Sequence, residues 1–178
     1  MIWESYYWKE PLLKLASKIT RWQREKNWSE RILVNIEREI FIAFYSIRKL
    51  MEAHKLSDST ETLKINVYSY TNRGKDVTYM NWHKLEVLYD FSSQTSQIKD
   101  LRFICNQIIH SYVFVVNILD TEEFHSLFFC SDREKNNQLY ELEISELKRI
   151  LRIVGRDYPY SGTYTFDPVK RDYIISQK

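Results

Sequence analysis

Hydrophobic positions along the chain recur at two periods, one helical and one strand-like. From residue 3 to residue 25, Leu12, Leu15, Ala16, Ile19 and Trp22 keep the i, i+3, i+4, i+7 spacing of an amphipathic helix, with Pro11 expected in its first turn. Asn27 followed by Glu30 resembles a capping box. A longer helix then runs to about Lys55, with Ile32, Ile36, Ile40, Ala43, Phe44, Ile47, Leu50 and Met51 as its buried stripe. A tight connection makes residues 3–55 an antiparallel helical hairpin.

Residues 56–62 read as a polar loop, and Leu63 to Tyr70 alternates as a strand does, with Ile65, Val67 and Ser69 on one face. After a turn at Asn72-Arg73-Gly74-Lys75, a short helix opens at Met80 or Asn81 and runs through Leu85, Leu88 and Tyr89. Ser92 to Ser96 breaks it, and Thr95 or Ser96 caps the helix that carries Arg102 to His110. This completes a strand-and-helix segment over 63–112. Residues 113–144 form a three-stranded meander: Val113 to Leu119, Phe124 to Cys130 and Leu139 to Ile144. Ser145 caps a last helix through Leu147, Ile150, Leu151 and Val154, which Gly155 stops. A tail with a short hairpin around Asp167-Pro168 closes the 145–178 segment. The expected fold class is α+β in one domain over 1–178. It is mainly a helical bundle of four to five helices, with a small antiparallel β-meander inserted or appended.

Composition sharpens this picture at a few points. Three Gly and three Pro in 178 residues favour long regular elements. Thirteen Tyr and five Trp supply large apolar faces with polar tips, which suit both cores and interfaces. A net charge of +2 does not mark a nucleic-acid-binding domain, since such domains are usually strongly basic. Lys14, Lys18, Arg21, Arg24 and Lys26 are either a local basic stripe or a solvated helix face. Two cysteines make no disulfide framework, and Cys105 reads as a small buried hydrophobe. No apolar run reaches the roughly 18 residues of a membrane span, and Met1 to Ser5 lacks the pattern of a leader, so a cytoplasmic protein without a membrane partner is expected.

His54, His83 and His125 fall in separate elements, so no metal site is expected. Three glycines cannot build a phosphate loop or a dinucleotide fingerprint, so no cofactor is expected either. The sharpest chemistry lies on the predicted helix 102–110. Arg102, Asn106 and His110 follow i, i+4, i+8 along one edge of an apolar arc made by Leu101, Ile104, Cys105, Ile108 and Tyr112. A cation, an amide and an imidazole in one row could bind or cleave a phosphodiester, or form an ordinary polar seam.

The helical hairpin and the Asn106-x-x-x-His110 helix resemble the HEPN superfamily, over roughly residues 1–55 and 81–112. Its members are small helical bundles, often dimeric, of bacterial toxin, defence and CRISPR-associated systems. The signature of that superfamily is an Arg, usually followed by a polar residue, and then a His four to six residues beyond the Arg. Here Cys105 stands where the Arg would precede Asn106, and the nearest Arg is Arg102, one turn earlier. The resemblance implies a homodimer of a defence or toxin–antitoxin type system, with metal-independent RNA cleavage. His110 would act as acid or base, Arg102 would stabilise phosphorane charge, and Asn106 would orient the phosphate. A degenerate site would instead bind RNA or a nucleotide. The alternative is a non-catalytic interaction module with a cognate protein partner, in which Asn106 and His110 belong to a structural seam.

Overall fold

A computed structural model describes residues 2–178. Within them the chain forms six helices and seven strands. Helix α1 spans Tyr6–Trp22, α2 Glu30–Glu52 and the single-turn α3 Asp58–Glu61. Strand β1 (Lys64–Thr71) leads into a connection holding α4 (Leu85–Leu88) and a 3₁₀ turn at Phe91–Ser93. Strand β2 (Thr95–Asp100) follows, then α5 (Leu101–Ile109). The strands β3 (Ser111–Ile118), β4 (Phe124–Ser131) and β5 (Gln138–Glu143) come next, then α6 (Ile144–Arg156). A terminal ribbon of β6 (Gly162–Asp167) and β7 (Asp172–Gln177) ends the chain.

The organising element is a five-stranded sheet in the order β2-β1-β5-β4-β3, antiparallel throughout. The expected meander is present, but it is neither small nor an appendage. β1 pairs with β5 about seventy residues later and brings β2 with it, so the meander becomes most of a sheet that runs through the molecule. This corrects the expectation of a mainly helical bundle. It also overturns the HEPN resemblance, because that fold is all helical and has no place for such a sheet.

Antiparallel register sorts the strand residues by face. Ser69, Tyr140, Phe129 and Phe114 lie abreast on one face, and α2, α5 and α6 pack against that side. Their buried stripes are those the periodicity marks: Ile36, Ile40, Phe44 and Ile47 on α2, Ile104 and Ile108 on α5, and Leu147, Ile150 and Leu151 on α6. Helix α1 docks most extensively on α6 and less on α2. Gly155, expected as a stop signal, lies inside α6 and serves this contact: a Cβ there would meet Leu13 Cδ2 at 2.6 Å. Any side chain there would force Leu13 to shift and would press on the Lys9 carbonyl at 3.3 Å, so glycine suits this close approach.

Smaller corrections follow from local chemistry. The cap of α2 is Ser29, whose hydroxyl accepts from the Ile32 N–H, and not Asn27. Asp100 caps α5, accepting from Phe103 N at 2.7 Å, because Thr95 and Ser96 belong to β2. Glu143, with no side-chain cap bond, precedes α6 in place of Ser145. Pro11 sits within α1 on its exposed side instead of in the first turn. No helix among the described residues is long and apolar enough to cross a membrane.

Candidate ligand-binding cleft

The three residues singled out on α5 are placed on one helix, but they do not converge. Arg102 stands at its start, with Nη2 3.9 Å from Glu61 on α3. Asn106, a turn later, accepts a hydrogen bond from Arg48 Nη1 of α2, and Arg48 Nε is held by Glu52 at 2.8 Å. His110 is the exposed C-cap, and its carbonyl accepts from Asp132 N. Eight residues of helical rise set Arg102 and His110 about 12 Å apart along the helix axis. Asn106 and Arg48 thus bridge α2 and α5. Cys105 beside them is fully buried, and burial pushes its thiol up to about 12. Among the described residues no cluster of His, Cys, Asp and Glu could hold a metal ion.

Chemistry collects instead on the other face of the sheet. One end of that face is covered by the 72–94 connection, where Tyr89 donates to the Lys135 carbonyl at 2.6 Å and Arg73 Nε reaches the Tyr89 carbonyl at 3.1 Å. The remainder lies open as a cleft of about 1160 Å³. Tyr68, Glu141, Phe128 and Val115 stand abreast across its floor, one from each of four strands. Residues two apart on a strand share a face, so Tyr70, Ser126, Asn117 and Glu143 join them.

These side chains form one directed row of hydrogen bonds. Gln94 Nε2 donates to Tyr70 Oη at 2.7 Å, and Tyr70 in turn donates to Glu141 Oε2. From the opposite side Asn117 Nδ2 donates to Ser126 Oγ at 2.8 Å, and Ser126 donates to Glu141 Oε1 at 2.5 Å. Every proton in the row points toward the Glu141 carboxylate, which is only 5% exposed. Burial, and then the carboxylate it serves, raises the Tyr70 hydroxyl well above its ordinary value, so it stays a donor. Phe91, from the 3₁₀ turn, packs on Tyr70 with centroids 4.6 Å apart and on Phe128 at 5.6 Å. The three rings wall the carboxylate. His83 and Lys84 stand exposed at the rim.

Sequence reasoning missed this site. Glu141 and Glu143 alternate with Tyr140 and Leu142, the ordinary signature of a strand with one solvated face. The available signal is the matching alternation Tyr68, Ser69, Tyr70 in β1, but only the β1–β5 register places it beside Glu141. Comparison with family models, with curated proteins and with solved structures finds no match to this chain.

Proposed function

We propose that the chain is a small-molecule-binding protein whose ligand lies in the cleft on the open face of the sheet. The observation that carries this reading is the row from Gln94 to Asn117, which turns four polar side chains toward one carboxylate at the floor of a cavity. An apolar floor would be at least as stable, since burying polar groups costs free energy that their hydrogen bonds only partly return. Ligand sites have this make-up: apolar and aromatic walls with a few converging polar groups. In this reading Arg48 and Asn106 are a structural seam between α2 and α5, Arg102 is a surface ion-pair residue, and RNA cleavage is not assigned to the α5 row.

Amide chemical-shift mapping with small aromatic fragments tests the proposal. The expected result is that the shifts gather on Tyr68, Tyr70, Phe128 and Glu141. Shifts that gather on α5 around His110 would count against it.

A second reading, recognition of a protein partner, is favoured by the terminal ribbon. Tyr164, Phe166 and Tyr173 share one of its faces by register and are each more than half exposed. Such a surface is unusual for a segment with no partner.

A further inference from the structure

The cleft's charge and its walls together select a class of ligand, on the reading that the cleft is a ligand site. Glu141 is buried, yet none of the ion pairs among the described residues includes it or Glu143. Its hydrogen-bond donors are neutral: the Tyr70 and Ser126 hydroxyls, each backed by an amide. The nearest lining guanidinium, Arg73, is already committed, with Nη2 on Asp90 at 3.0 Å and Nε on a backbone carbonyl. Glu143 lies two residues along the same strand face, about 7 Å farther on. The cleft therefore carries two carboxylates at its base, Glu141 and Glu143, neither of them ion-paired, while its uncommitted lining cation, Lys84, stands exposed at the rim.

We infer that the cleft binds an organic cation, an ammonium group carried on a flat apolar body. Two features favour that class over a metal ion or a neutral compound. Each Glu141 oxygen keeps a lone pair beyond the hydroxyl it accepts from, so an N–H of an ammonium adds a charge-assisted bond without displacing the row. The rings of Tyr70, Phe91 and Phe128 beside it offer the negative faces that attract a cation. A bare divalent ion would want more oxygen ligands than this wall of rings supplies. A phosphate or carboxylate ligand would meet like charge at the floor.

The experiment compares three phenylethyl probes with different head groups on the unaltered protein by shift mapping and titration: phenethylamine, 2-phenylethanol and 3-phenylpropionate. The inference expects phenethylamine to bind about tenfold more tightly than the alcohol, as one charge-assisted bond would give, and the acid to bind most weakly. Glu141→Gln should erase the preference for the amine over the alcohol. If amine and alcohol map to the cleft with equal affinity, the cation class is overturned and the cleft reading stands. If all three map elsewhere or none binds, both are overturned. Because the preference is read on the wild type, a Glu141→Gln protein that fails to fold leaves the decision intact.

Discussion

At the scale of single residues, the same side-chain types do different work according to what surrounds them. His110, the residue most suggestive of chemistry in the sequence, is exposed and caps a helix, whereas Glu141 is nearly closed off from water. Asn106 is legible as a member of a polar row, but its partner Arg48 is fifty-eight positions away and invisible to local spacing. The seam makes a graded prediction. Asn106→Ala strips a charged donor of its acceptor and should cost about 1–2 kcal/mol in urea unfolding. His110→Ala, which removes an exposed ring, should stay within about 0.5 kcal/mol. Equal and small costs for both would show that the Arg48–Asn106 bond does not hold α2 to α5.

At the scale of elements, the sequence was readable wherever one face of an element is dry. The stripes of α1, α2, α5 and α6 and the three meander strands follow from the run of apolar positions, to within a few residues at their ends, whereas the largely exposed terminal ribbon is marked only by its Asp167-Pro168 turn. β2 was not readable. Thr95–Asp100 is an edge strand with both faces largely exposed, so it lacks the alternation that reveals a strand and reads as a polar breaker. Pairing between distant elements was equally hidden. Gly155 illustrates this, since a glycine near a helix end signals termination locally, and only the docked α1 shows that it is a contact point. Gly155→Val should therefore destabilise the protein by about 2 kcal/mol or more, because the added methyls collide with Leu13 and the Lys9 carbonyl. A Tm unchanged or raised by that substitution would mean that the α1–α6 approach is looser than described.

At the scale of the whole molecule, the sheet order decides both stability and function. It buries Cys105 and Cys130, whose thiols burial pushes up to about 12 and about 11, and Tyr140, whose hydroxyl burial raises to about 12. Each of these is neutral in the fold and ionises more readily once unfolded. Their stabilisation is thus complete below the unfolded thiol value near pH 9 and is lost as pH climbs through the folded values. Lys9 acts with the opposite sign: burial lowers its value, so the fold gains as the amine is neutralised. Lys148 is lowered in the same way, but the two amines are outnumbered, and urea midpoints are expected to fall steadily above about pH 9. A midpoint that rises there would mean the Lys9 contribution dominates.

The same sheet order puts Tyr68, Glu141, Phe128 and Val115 abreast, although they come from strands scattered between residues 64 and 143. Nothing local in the chain announces that alignment, so the cleft is invisible to spacing, whereas the helix row is written in consecutive turns. The most direct test of the account is the amide shift map on adding phenethylamine. It should place the largest changes on β1, β5 and β4 around Tyr70, Glu141 and Phe128, with α5 silent. Changes centred on Asn106 and His110, or on the terminal ribbon, with none at Glu141, would contradict it.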